Sequence, residues 1–330
     1  MRVALCAAAA VLVALTGASA SGRTSATVRV AYVTDAGSVS DGSFGENTYR
    51  GFVAAVRHLP VQARVVLVAP NQSWGSELAL VAREGYDLIV VGPYIDPRAT
   101  RAVALKFPRS TFLTSNIDTS LVPRVPRNMA IYTLRLDEAA FLAGYLAALV
   151  DDQRAGRHVV SSVGGPPIPQ VRDPIVGFEA GAKRADPHIT TLHSHVKDTL
   201  NPAHCRPIAL EQIAEGSRAV FDVAGPCGIG ALFAARDRGV WGIGINIDMS
   251  GLGSFILTSV LRREEPLFNL MLRAYLHGSL RRGLVTSVGL RDGVVGLGRI
   301  NSRVPKSIVA KVVRLRAQIV AGAVTVPSAK

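Results

Sequence analysis

Nearly the whole chain alternates short apolar runs rich in β-branched residues with stretches of helical periodicity, and this alternation restricts the available folds more than any other feature. Continuous apolar strands need cover on both faces, so strand and helix in turn call for parallel sheets with crossover helices. The first unit is TVRVAYVT as a strand, DAGSVSDGSF as a polar loop, and GENTYRGFVAAVRHL as a helix with Phe52, Val53 and Val56 at helical spacing. ARVVLVAP, YDLIVVGP and STFLTSN follow as strands, separated by the helices WGSELALVAREG and RATRAVALKFP.

The helix DEAAFLAGYLAALVDD has an almost continuous apolar face and the small residues Ala143, Gly144, Ala147 and Ala148, which suit close packing. It opens a second series, in which HVVSSVGG, ITTLHSHV, SRAVFDVA and VWGIGIN read as strands and the intervening segments as helices. At 330 residues the chain has material for two cores. The expected architecture is α/β, with two Rossmann-like doubly wound lobes, a hinge and a ligand cleft between them. The expected division is 27–134 plus 254–283 for the first lobe and 135–253 plus 284–327 for the second. No low-complexity linker or short repeat intervenes, which favours a hinge over a tether. In such sheets ligands sit beyond the carboxyl ends of the strands. Those ends are the loops Asp35 to Phe44, Gly92 to Asp96, Gly164 to Gln170, Gly225 to Gly230 and Asn246 to Gly253.

The N-terminus departs from the pattern. Arg2 precedes an apolar stretch from Val3 to Leu15, shorter than the roughly 20 residues a membrane span needs, and Ala18 and Ala20 satisfy the small-x-small rule for cleavage before Ser21. Residues 1–20 therefore read as a secretory signal, and an exported, extracytoplasmic protein is expected. Cys6 lies inside the apolar core of that signal instead of after it, so no lipid anchor is expected. The mature chain keeps Cys205 and Cys227, an even count that admits a disulfide in an oxidising compartment and equally two separate thiols.

The formal charge is +13, and residues 262–330 carry 13 Lys or Arg against Glu264, Glu265 and Asp292. Only Phe268 and Tyr275 are aromatic there and no recognition motif is present, so a solvated basic face is expected and nucleic acid is not an expected partner.

The loops and strands together resemble the basic-membrane-protein family of ABC-transporter solute-binding proteins, a group that includes purine nucleoside receptors. The segments that carry the resemblance include VAYVTDAGSVSDGSFGENTYRGF, VGGPPIPQVRDPIVGFEAGAK, VFDVAGPCGIGALFAA, GIGINIDMS and GLRDGVVGL, in the family's order from about residue 28 to residue 327. The resemblance implies a type I periplasmic-binding fold with three chain crossings, a nucleoside-like ligand, a membrane permease as partner, a monomeric receptor, and no cofactor. It matches Phe44 to one aromatic that clamps the ligand base and Phe221 to the other, with Asp35 and Asp41 at acidic positions of the first loop. Two rings offer a planar ligand about 0.5 to 1.5 kcal/mol each beyond burial. On residue type alone, a Phe opening a helix also serves as a hydrophobic staple and a Phe on a strand as core. Ser43, Gly225 and Asp248 complete the expected ligand set, with Asp248 as a hydroxyl acceptor. Asn116 and Asn246 stand where the family commonly has acids, Gly45 where it has Asn, and Arg262 where it has Lys. Loss of an acceptor to a buried hydroxyl costs about 1 to 3 kcal/mol, enough to change specificity.

Enzymatic readings find only fragments. His193 and His195 alternate on a strand with His204 and Cys205 nearby, but without a structural-zinc spacing, and no metal is expected. No G-x-S-x-G elbow, P-loop or H-E-x-x-H occurs. GPCGIGALF is a Gly-rich turn able to present backbone N–H groups, or simply a tight turn. The leading expectation is a transport receptor, followed by a solitary sensor using the same cleft, with a hydrolase last.

Overall fold

The computed structural model describes residues 27–41, 44–152 and 156–329. The expected signal, residues 1–20 with Cys6, lies outside the described residues, as does Ser43. In the first series β1 (Val28–Asp35), α1 (Phe44–Val56), β2 (Val61–Val68), α2 (Trp74–Arg83), β3 (Leu88–Val91), α3 (Pro97–Lys106), β4 (Thr111–Ser115) and β5 (Met129–Leu134) follow one another. The second series runs α4 (Leu136–Asp151), β6 (Val159–Gly164), α5 (Pro169–Ala185), β7 (Thr190–His195), α6 (Pro202–Ala214), β8 (Ala219–Val223), α7 (Gly228–Asp237), β9 (Trp241–Asn246) and β10 (Ile256–Arg262). The chain ends with α8 (Glu264–Leu276), β11 (Val285–Val288), β12 (Val295–Leu297) and α9 (Lys306–Val320).

Two six-stranded sheets result, in the orders β11-β5-β4-β3-β1-β2 and β12-β10-β9-β8-β6-β7. All neighbours pair in parallel except β10 and β12. Central strands such as β3 and β8 are buried at every residue because helices cover both faces. The outer strand β2 leaves Gln62 and Arg64 in solvent, where charge guards an unpaired edge.

The strand pairing redraws the expected division. Segment 256–262 belongs to the second sheet, because β10 adds in parallel beside β9. Segment 285–288 belongs to the first, because β11 pairs with β5. The helix between them, α8, packs on α1 in the first lobe. The chain thus passes between lobes at Arg135, at Arg263 and through residues 289–294. Strand β5, the short apolar run MAIYTL, follows the Pro/Arg-rich turn after β4 and was not expected; it pairs with β4 on one side and β11 on the other.

In the second lobe α4 and α5 approach closely enough that a Cβ on Gly144 or Gly181 would meet the carbonyl of Phe178 or Phe141 on the facing helix. Contact at backbone distance is open only to glycine there. Cys205 and Cys227 are joined as a disulfide with Cα atoms 5.6 Å apart, tying the start of α6 to the turn before α7.

Replacement Gly144→Val should force α4 from α5 and lower unfolding free energy in urea by about 1 to 3 kcal/mol. A variant as stable as the parent would show that the helices are not held at this separation.

Candidate functional site

The carboxyl ends of both sheets face one cleft of about 780 Å³, within the range of small-molecule sites. The first lobe contributes Asp35 at the end of β1, Asp41, Phe44 at the start of α1, Tyr94 after β3 and Asn116 after β4. The second contributes Gly165, Thr199, Gly225, Asn246 and, at the end of β10, Arg262.

Much of the polar capacity on the first loop is already engaged. Asp35 Oδ1 accepts the Gly37 N–H at 2.8 Å, and Asp41 caps α1 by accepting from Gly45 at 3.1 Å and Glu46 at 3.0 Å. Phe44 meets Tyr94 edge-on, with ring centroids 5.8 Å apart. The Arg262 guanidinium lies 4.2 Å from the Phe44 centroid, a cation–π contact. Arg262 is buried, and its Nε donates to Glu264 Oε1 at 2.8 Å. Among the described residues its Nη2 has no acceptor, although it belongs to a residue on the cleft wall. A buried donor of this kind needs a partner, and a ligand can supply it.

The backbone points to the same place. Tyr94, Asn116 and Asn246 have φ of 69°, 55° and 68°, and they are the non-glycine residues with positive φ among those described. All three line the cleft. Asn tolerates this left-handed region, whereas a tyrosine there is an outlier held by its surroundings, a strain that concentrates at functional sites. Although the Tyr94 side chain is largely exposed, partial desolvation in the cleft and the nearby Asp41 carboxylate raise its hydroxyl above the ordinary tyrosine value, so it remains a neutral donor. Apolar side chains also stand in solvent around the cleft on both lobes: Tyr94 is 59% exposed, Ile168 47% and Leu200 75%.

Of the residues expected from sequence, Asp35, Asp41, Phe44, Asn116, Gly225, Asn246 and Arg262 line this cleft. Ser43 lies outside the described residues. Phe221 and Asp248 are placed elsewhere. Alternation along β8 turns Phe221 into the core, where it is fully buried with its ring 5.1 Å from Phe178. The clamping role assigned to it is therefore corrected: it has no surface toward the cleft. Asp248 accepts the backbone N–H groups of Ser250 and Arg299, each at 3.0 Å. It ties the turn after β9 to the strand end at β12 and does not line the cleft. Burial alone would raise its pKa, but these N–H groups outweigh burial and hold the carboxyl below its ordinary range. Tyr94, Thr199 and Leu200 were not expected. The Gly92 to Asp96 loop was a visible signal for the first; the turn after β7 carried none.

The histidines lie near one another without converging on a common point. His193 Nδ1 is 2.8 Å from Glu179, His195 Nδ1 is 2.7 Å from the Gly165 carbonyl, and Cys205 is in the disulfide. Asp222, opposite in facing to Phe221, is completely buried, with Oδ1 accepting from Ala224 N–H at 2.9 Å. Burial pushes its carboxyl up to about 7.

Residues 28–330 match the family model described as ABC transporter substrate-binding protein, PnrA-like. Basic membrane protein B of Borrelia garinii subsp. bavariensis is 29% identical over 84% of this chain and 82% of its own length. A solute-binding protein of an ABC transporter system from Aeropyrum pernix superposes with a TM-score of 0.73 at 21% identity, over 91% of this chain and 94% of that one. A transcriptional activator of the comK gene from Bacillus halodurans superposes with a TM-score of 0.75 at 20% identity, covering 90% and 99%. These two structures share the fold, two parallel-sheet lobes of the type I periplasmic-binding kind.

An acid whose pKa rises on folding destabilises the native state increasingly as pH climbs from its unfolded value, 3.8, to its folded one near 7, and by a constant amount above that. Asp222→Asn keeps an acceptor for Ala224 without that charge. Its stability relative to the parent, measured by urea unfolding, should improve between pH 4 and pH 8 (roughly the window set by those values). A pH-independent difference would show that Asp222 does not titrate there.

Proposed function

The chain belongs to the PnrA-like family of ABC transporter substrate-binding proteins, and on that premise we propose that it is an exported receptor whose lobes close on a planar small molecule, a purine nucleoside. The observation that carries this reading is the group formed by Phe44, Tyr94 and Arg262: two rings at right angles beside a buried guanidinium with a donor unmet among the described residues. A heteroaromatic base suits it, since one face stacks on a ring while a lone pair or hydroxyl accepts from Nη2. Asn116 and Asn246, facing from opposite lobes, offer amide donors and acceptors for the remaining polar edges.

Closure follows from the same surfaces. Tyr94 on one lobe and Ile168 and Leu200 on the other are exposed around the cleft, and bringing them over a ligand removes apolar area from water at about 25 cal/mol per Å². A ligand that touches both lobes favours the closed arrangement by its extra contacts there, and a membrane permease reads that arrangement. The ligand is released chemically unchanged. Among the described residues no helix is long and apolar enough to cross a membrane, in keeping with a receptor that works beside its permease.

Thermal-shift and calorimetric titration of the mature protein with nucleosides, free bases and sugars should find a purine nucleoside that raises the melting temperature. Phe44→Ala should weaken that ligand by about tenfold or more, a loss of about 1.4 kcal/mol or more, and leave the unliganded protein folded. Unaltered binding by the variant, or a sugar as the sole ligand, would overturn the reading.

A further inference from the structure

Beside the main cleft lies a second chamber of about 260 Å³. The two are continuous: Asp41, Gly225, Pro226, Ile245 and Asn246 line both. The chamber's own wall is largely apolar, with Ile229 from α7 and Met249 from the turn after β9, and Asp222 from β8 stands within it. Its volume suits a substituent rather than a whole ligand. Its charged lining residues are Asp41 and Asp222, with no Lys, Arg or His among the described residues that line it.

Asp222 is the unexplained part. It is fully buried, and one oxygen is accounted for by the Ala224 N–H at 2.9 Å. Among the described residues Oδ2 has no hydrogen-bond partner. The carboxylate also rests against the backbone at the first turn of α7 so closely that a Cβ on Gly228 would overlap it. A turn that needed only one acceptor for Ala224 would be served by serine or asparagine at less desolvation cost, whereas a buried carboxylate with a vacant oxygen is expensive unless something meets it. Asp41 is less available, since both its oxygens already accept from the N-terminal amides of α1.

We propose that this chamber is an annex of the ligand site in which Asp222 Oδ2 accepts an N–H donor of the bound molecule, so that Asp222 selects ligands bearing an amino or amidine group. With Asp222 ionised, the acidic, cation-free wall rejects a carbonyl, phosphate or carboxylate at the same position. Burial, which pushes Asp222 up to about 7, keeps the empty site from holding a full charge, and an arriving donor stabilises the ionised form. The inference rests on the receptor reading for the body of the ligand, but not for the chemistry of the annex.

Calorimetry at pH 8 on the mature protein, on Asp222→Asn and on Ile229→Phe, which fills the chamber without touching the carboxyl, separates the two claims. The probes are adenosine against purine riboside, which lacks the amino group, and benzamidine against benzamide. The parent should prefer the amino-bearing member by about tenfold or more, and both variants should reduce that ratio to below about threefold. Nucleoside binding with no such preference, or a preference that survives in both variants, overturns the annex and leaves the receptor reading standing. Benzamidine selected through Asp222 while no nucleoside binds supports the annex and removes the nucleoside. Failure of all four probes to bind overturns both.

Discussion

Every functional relation in this protein depends on how the chain passes between its two sheets. Three crossings lie side by side and are stitched together by backbone hydrogen bonds, Arg135 N–H to Val288 at 2.8 Å and Arg263 N–H to Val294 at 2.9 Å. Glu138 adds a third tie by accepting the Leu290 N–H at 2.8 Å. Because the connections are short and adjacent, the lobes are held with their strand ends toward one another, yet few residues would have to change dihedral angle for them to move. The Arg262 and Glu264 pair straddles the second crossing: one residue ends β10 and the other begins α8. Glu264 packs against Gly51 of α1, the helix that opens with Phe44. Cleft, hinge and first-lobe helix are therefore one run of contacts. A buried ion pair is a poor source of net stability, so its place beside the ligand wall is better explained by positioning the guanidinium than by holding the fold.

The alternation of strand and helix was legible because it is local: burial on both faces leaves its mark in every apolar run. Assignment of strands to sheets was not. Strand β10 reads the same whether it returns to the first lobe or stays in the second, and what decides is its pairing with β9, a long-range fact with no local trace. The same holds for β11, whose partner β5 lies some 150 residues earlier, and for β5 itself, which precedes α4 with little to mark its start. By contrast, the small residues of α4 announced a close helix contact, and Gly144 makes one.

Within the site, positions fixed by the loop itself were readable and positions fixed by strand parity were not. Phe44 follows a Gly/Ser loop at a sheet edge and reaches the cleft. Phe221 sits one residue from Asp222 on β8, and a period of two sends the ring to Phe178 of α5 and the acid to the opposite face. Nothing in VFDVAG says which of the two looks outward. Asp248 shows the other failure: a short acid in a turn has a backbone to cap before it has a ligand to hold, and there the turn won.

That competition explains the balance of charge in the cleft. Asp35 and Asp41 both face it, and both have oxygens committed to the N–H groups of their own loop and helix. The ends of β4 and β9 carry Asn116 and Asn246, whose left-handed backbone suits asparagine and whose amides bring no charge to be desolvated. The main cleft is thus short of free carboxylate acceptors and relies on rings, amides and Arg262. Among the described residues, Asp222 Oδ2 and Glu264 Oε2 are buried carboxylate oxygens without a hydrogen-bond partner; Glu264 already holds Arg262 through Oε1, whereas Asp222 lines the deeper chamber. An acceptor so placed discriminates more sharply than one at a wet rim, because a ligand lacking the matching donor leaves it buried and alone.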